Sequence, residues 1–493
     1  MSGVSVDYGN PAFILFQKMS KNIPILLLII ICLTVTQVMA GPVATVQTLI
    51  EETSEGGVVP LEPGRYTGPV VLEKAVILDG QGKVTIDGQG KASVLLLKAD
   101  GVVIQNLIIT NSGNSHDRVD AGILVRSSRN QIHNNKIHNT LFGIDLQEAH
   151  ENNITGNEIS SKNITLGLRG DGVRIWASHR NTFRKNRIND SRDMVVWYSN
   201  DNIIEENEGW NNRYSLHFMY SGGNIVRRNS YHHNTVGIFL MYSRDITVER
   251  NVVKYSLGGT GVGIGLKEVD NLTIQNNKIV YCTAGFFFDL SPFQPDRYNF
   301  LKANIVAYNV IGVDFNSTLT RNIIKGNAFI DNLETVRVRG NGVATENLWE
   351  GNYYSDYEGF DRDKDGYGDF VHNHDIYLDT LWMNNDWMLL FYGSPVISVL
   401  NLLAKLAPIS EPKRLLTDLK PVFSPNASVL FSKANLSYDP PIIDIEKDDD
   451  ADGEMPARFA SDGDDDEDDE EEEKEIEEAL KKKANYNRYF LKQ

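Results

Sequence analysis

Donor atoms that could hold a soft metal ion recur in the middle of the chain, as the imidazole of His217 and the thioethers of Met219 and Met241. Imidazole nitrogen combined with thioether sulfur suits Cu(I). A second group lies in Asp361-Arg-Asp363-Lys-Asp365-Gly366-Tyr-Gly-Asp369. Its carboxylates fall at positions 1, 3, 5 and 9 with glycine at 6, the oxygen-ligand pattern of a calcium loop. The twelfth position, where a bidentate Glu belongs, is His372. An acidic turn closed by its own backbone accounts for the same residues. His372-Asn-His374 has the tight spacing of metal ligands but no evident third partner. His133, His138 and His232-His233 sit at expected corners, where turn chemistry explains them.

The elements that position these residues follow from an internal repeat. Asn-x-(Ile/Leu/Phe/Trp)-x-x-Asn occurs at Asn130–Asn135, Asn152–Asn157, Asn181–Asn186, Asn202–Asn207 and Asn224–Asn229. It continues to Asn251, Asn277, Asn304, Asn327 and Asn352, with closing asparagines 21 to 29 residues apart. A second strand then begins at glycine, as in Gly143-Ile-Asp-Leu and Gly237-Ile-Phe-Leu. Short strands of period two, separated by Asn/Gly turns at a near-constant repeat, predict an all-β, right-handed parallel β-helix. Asparagine tolerates the left-handed backbone of a tight corner, and its amide can bond to the Asn of the next turn. The coil is expected over residues 41–372, with the amphipathic segment Val46–Glu52 capping its first end.

Alternate residues of each strand face the core. Aligned on Ser178, Ser199, Ser221 and Ser243, the inward positions read Val173, Met194, Leu216 and Ile238, then Ile175, Val196, Phe218 and Leu240. The outward positions read Arg174, Val195, His217 and Phe239, then Trp176, Trp197, Met219 and Met241, with Gly265 and Lys267 next. An exposed apolar column of this kind marks an interaction surface. Arg174, Trp176, Trp197, His217, Met219, Phe239, Met241 and Lys267 are therefore expected to dock a partner. Cover by a loop or C-terminal segment, or a metal site, are the competing accounts.

The 493 residues carry a formal charge of −18, which argues against nucleic acid as a partner. That charge is local, because 21 Asp/Glu stand against three Lys/Arg between Asp444 and Glu478. Residues 424–493 are expected to be a disordered acidic tail. Residues 373–423 lose the strand period. Val396, Val399, Leu400, Leu403 and Leu406 mark a helical face there, so a helical extension is expected. The apolar run Ile23–Val35, followed by Val38-Met39-Ala40, reads as a secretory signal over residues 1–40, with Met19 a plausible true start. The two cysteines, Cys32 and Cys282, exclude a disulfide scaffold.

Gly170-Asp-Gly-Val-Arg-Ile-Trp176, Arg192-Asp-Met-Val-Val-Trp-Tyr-Ser199, Arg213-Tyr-Ser-Leu-His-Phe-Met-Tyr-Ser221 and Gly237-Ile-Phe-Leu-Met-Tyr-Ser243 resemble successive turns of the NosD family of nitrous oxide reductase maturation proteins. Gly265-Leu-Lys-Glu-Val-Asp270 and the stretch from Gly351 to Asp363 fit the same family, and the likeness spans about residues 41–423. The acidic tail has no counterpart in it. The resemblance implies a periplasmic accessory protein rather than an enzyme. It implies peripheral association with the inner membrane through an ABC transporter of a membrane subunit and an ATPase. It further implies that copper passes from a lipoprotein chaperone toward the copper-sulfide centre of nitrous oxide reductase. The strand alternation then makes His217, Met219 and Met241 candidate transient copper contacts, and the carboxylate spacing alone makes Asp361, Asp363, Asp365 and Asp369 a candidate structural calcium loop. The rival is a carbohydrate-active enzyme of the lyase or epimerase type, which shares the architecture. Its chemistry needs converging carboxylates. The outward Asp145 and Asp314 are about seven turns apart, or roughly 34 Å.

Overall fold

The computed structural model describes residues 45–340, 342–376, 391, 394–406 and 412–423. The chain divides into two units, Met1–Leu436 and Ser437–Gln493, and every described residue belongs to the first. The expected signal segment, most of the stretch from 377 to 393, and the acidic tail lie outside the described residues.

Strands mostly of three to six residues wind into a right-handed parallel β-helix. One face is a sheet of twelve strands running from Val70–Leu72 to Glu334–Val338. Its middle strands are Val173–Trp176, Asp193–Trp197, Tyr214–Met219, Val236–Met241 and Val262–Lys267. Two shorter strands per turn, such as Ile203–Glu205 and Glu208–Trp210, form the remaining faces. The interior is filled by one continuous apolar cluster that includes Ile175, Val196, Phe218, Leu240, Leu266 and Phe288. Coiling suits this sequence because no single turn can bury its apolar edge alone. Stacking buries each turn against the next.

The corners are held by side-chain ladders. Each inner asparagine accepts, through Oδ1, the backbone N–H and the Nδ2 of its predecessor. The series runs Asn135, Asn157, Asn186, Asn207, Asn229, Asn251, Asn277, Asn304, Asn327 and Asn352 at 2.9–3.0 Å. The left-handed residue is the one before, contrary to the sequence expectation. Lys185, Glu206, Arg228 and Arg250 take φ of 54–57°. The asparagine is selected for satisfying buried backbone groups, and the strained corner falls on whatever precedes it. A parallel ladder of Ser178, Ser199, Ser221 and Ser243 runs beside the twelve-stranded face.

Both ends are closed. The helix Val46–Glu52 buries Val46 and Ile50, and its Gln47 side chain pairs with both backbone groups of Val71 on the first strand. At the far end the expectation of a helical extension over 373–423 needs correction. A helix does span Pro395–Leu406, but His372–Ile376 and Lys413–Asp418 are antiparallel strands. Lys413–Asp418 also joins the last turn at Trp349, and Leu415 and Leu416 are fully buried in the core cluster. Two adjacent leucines flanked by charges carry no helical stripe. Their burial on the open end of the coil decides their conformation.

Candidate functional site

The register of the twelve-stranded face places the column as its alternation requires. Arg174 pairs with Val195, Val195 with His217, His217 with Phe239 and Phe239 with Gly265. Two residues along, Trp176, Trp197, Met219, Met241 and Lys267 form the second row. The column is not an open patch, however. His217 and Met219 are each 9% exposed, and Arg174, Trp176, Trp197, Phe239, Met241 and Lys267 are half-buried. The side chains cover one another: the Phe239 ring lies over Gly265, where a Cβ would meet it at 2.3 Å. Arg174 ion-pairs with Asp145 at 3.2 Å, and Lys267 sits over the Tyr242 ring at 5.6 Å.

His217 Nε2 lies 3.0 Å from the Met241 Sδ, diagonally across the two strands. The opposite ring atom, Nδ1, faces the Asp193 carboxylate at 3.8 Å. A register shift between Asp193 and Val195 inserts one extra residue in the facing strand. Such a bulge re-aims side chains. Tyr214 is thereby turned outward to stack on His217, ring centroids 4.8 Å apart, and Phe239 meets the same imidazole edge-on. The imidazole is fixed on three sides.

Asp193 itself is buried and accepts from Arg213 Nε at 3.1 Å, Arg213 Nη2 at 2.7 Å and the Tyr214 amide at 3.1 Å. Burial works to raise its carboxyl, but hydrogen bonds from His217 and Arg213 hold it well below the usual carboxylate range. Its neighbours on the face behave oppositely. Asp145 is pushed up to about 6 by burial, against the attraction of Arg174. Asp171 is also pushed up to about 6, by burial against Arg192 and by the charge of Asp193. Sequence reasoning missed Asp193, Arg213 and Tyr214. The 22-residue step from Ser199 to Ser221, one longer than the step before it, was the available signal. Arg174 and Trp176, with Arg118, Arg126 and Gln147, line a cavity of about 470 Å³.

The remaining expectations divide. Asp361, Asp363 and Asp365 come together with carboxylate oxygens within 4.8 Å. Their oxygens accept amides of the same loop, Asp361 from Gly366, Asp363 from Asp365 and Asp365 from Tyr367. Asp369 is drawn off to the Arg362 amide at 2.9 Å, and His372 is buried against Tyr354. The loop closes through its own backbone, and calcium gains no support from it. Asp145 and Asp314 do not converge, and Asp314 is paired with Arg339 at 3.0 Å. Burial pushes the Cys282 thiol up to about 12, which removes it as a thiolate ligand.

The family model described as "Periplasmic copper-binding protein (NosD)" matches residues 159–359, and one described as "Right handed beta helix region" matches residues 75–165. Two curated relatives are each named "Probable ABC transporter binding protein NosD". The one from Pseudomonas aeruginosa is 28% identical over 365 residues, covering 71% of this chain and 84% of that protein. The one from Stutzerimonas stutzeri is 29% identical over 373 residues, covering 71% and 83%. Among solved structures, the Azotobacter vinelandii mannuronan C-5 epimerase AlgE6 A-module aligns with TM-score 0.42 and 15% identity, over 62% of this chain and 93% of that one. A Yersinia enterocolitica Family 28 exopolygalacturonase aligns with TM-score 0.39 and 11% identity, over 60% and 75%. The matched segment 159–359 contains the turns with Trp176, Trp197, His217 and Met241, and the two relatives extend the likeness over most of the coil. Over residues 159–359, and through the two relatives over most of the coil, the chain is similar to NosD proteins.

Proposed function

We propose that this chain is a periplasmic accessory of an ABC transporter, not an enzyme, and that it handles Cu(I) as cargo. The copper arrives from a lipoprotein chaperone and leaves for the copper-sulfide centre of nitrous oxide reductase. The observation that carries the reading is the 3.0 Å approach of His217 Nε2 to Met241 Sδ, with Met219 beside it in register. A carboxylate facing Nδ1 favours the proton there, leaving the Nε2 lone pair for a metal. The names of the two relatives support the transporter as partner, and the family description supports copper. Half-burial of the column fits transient transfer, because a docking partner must displace the Phe239 cover before copper moves.

The test is Cu(I) affinity measured by competition with a chromogenic chelator. H217A and M241L should each weaken binding at least tenfold, with a smaller loss for M219L. The same variants should lower the copper content of co-expressed nitrous oxide reductase. Unchanged affinity in H217A and M241L would sink the copper role of this site.

One observation favours the carbohydrate-active alternative. Three arginines and Trp176 surround the cavity of about 470 Å³ next to Asp145, a constellation able to hold an anionic sugar. Turnover of a uronate polymer by the purified chain, abolished in R174A, is the result that would establish it.

A further inference from the structure

Beyond the copper reading, and independent of it, stands a cluster at the far end of the coil. His372 and His374 occupy alternate positions of the strand His372–Ile376, so both rings project from one face. That strand is held in place by Lys413–Asp418, with His372 opposite Asp418 and His374 opposite Leu416. The third member is Asp356, which follows the last short strand Tyr353–Tyr354. Its Oδ1 lies 4.0 Å from His372 Nε2 and its Oδ2 lies 3.9 Å from His374 Nδ1. The three ligand atoms are within 4.8 Å of one another.

Two features separate this cluster from a chance meeting of polar groups. The His372 side chain is only 7% exposed, and its Nε2 has no hydrogen-bond partner. A buried polar atom normally has one. Its ring is locked by stacking on Tyr354 at 4.0 Å between centroids, with Tyr357 edge-on at 5.9 Å. The Nε2 atom is thus pre-aimed at the point where Asp356 and His374 also arrive. On the other side, Asp356 and His374 border a cavity of about 300 Å³ lined also by Glu334 and Ser355. An ion held there keeps open positions toward that cavity. Bonds of about 2.0–2.2 Å require each ligand atom to move inward by well under an ångström.

We propose that Asp356, His372 and His374 form a two-histidine, one-carboxylate site for a divalent transition-metal ion of the zinc(II) type. Two imidazoles with a carboxylate, and no sulfur, match a borderline divalent ion rather than Cu(I). The site is thereby chemically distinct from the His217–Met241 pair. His372 and His374 also fall outside the segment 159–359 that the family description covers. The ion ties the strand His372–Ile376 to the last turn of the coil through Asp356, and so adds a cross-link at an end otherwise closed by hydrogen bonds and apolar contacts.

Co²⁺ serves as the probe, added to the full chain after chelator treatment. Saturable one-to-one binding with visible d–d absorption, displaced by Zn²⁺, is expected. D356A and H374A, which remove one exposed and one partly buried side chain, should each weaken it at least tenfold while leaving the circular dichroism of the metal-free protein unchanged. H217A should bind Co²⁺ like the wild type, and Zn²⁺ should raise the Tm of the wild type but not of D356A. Absence of saturable binding in the wild type, or wild-type affinity in both D356A and H374A, overturns the proposal.

Discussion

At the scale of the residue, the buried carboxylates of the twelve-stranded face show how environment sorts chemically identical groups. Asp193 gains two guanidinium bonds and an amide, and is held ionised. Asp145 has one guanidinium at 3.2 Å and complete burial, and is pushed up to about 6. The consequence for stability has a definite sign. In the unfolded chain Asp145 titrates near 4, so the folded protein holds the proton more tightly than the unfolded one. Stability from this group is present below about pH 4 and is lost as pH rises toward about 6. D145N has no proton to lose. The stability of D145N relative to wild type should therefore rise by about 2 kcal/mol between pH 4 and 6.5, as read by denaturant melts across that range. A difference that stays flat with pH would show that Asp145 ionises normally.

At the scale of the element, the coil was legible because its signals repeat. One Asn-x-Ile-x-x-Asn is a turn, whereas ten in register fix which residues share a face. Thus Trp176, Trp197, Met219 and Met241 align as their spacing required. What a period cannot encode was lost. The extra residue between Tyr214 and His217 that closes the His217 environment is a single departure from the repeat. Asp356 became the partner of His372 and His374 only through the fold of the last turn. The strand Lys413–Asp418 is set by contacts more than 60 residues away, in which Asp418 bonds Asn352 and Gly351. D418A leaves those buried amides without an acceptor, at a cost of roughly 2–4 kcal/mol. Because stability in a stacked coil is built from neighbouring turns, the loss should stay local. Hydrogen exchange is expected to quicken over residues 346–423 and to remain unchanged before Asn251. Uniform quickening would show that the end cap supports the whole coil.

At the scale of the whole molecule, among the described residues the helix Pro395–Leu406 presents an apolar face that the coil does not absorb. In the helix Pro395–Leu406, Val396, Val399, Leu400 and Leu403 are exposed among the described residues, and Ile397 is buried. Exposed aliphatic side chains gathered on one helix fit contact with another protein surface. Under the proposed function that surface is the transporter's membrane subunit. V399D with L403D should abolish co-purification with the subunit while leaving the melting of the coil unchanged. Retention of the complex would remove the helix from the interface. Point substitutions are the right instrument here, since truncation before Lys413 would also strip Leu415, Leu416 and Asp418 from the end of the core.

The asparagine ladder has a direction. Every amide in it donates toward the next turn, so the row from Asn135 to Asn352 aligns its side-chain dipoles head to tail along the coil. The row ends at the Asp418 carboxylate, which accepts from Asn352 at 2.9 Å and has no N–H to pass on. Aligned amide dipoles terminated by an anion at their positive end are the arrangement that favours negative charge at a helix N-terminus. Asn at position 418 would hand the series on to whatever strand came next, whereas Asp stops it. The single change from amide to carboxylate ends the hydrogen-bond relay at the last turn with a group that accepts from the row and donates nothing onward.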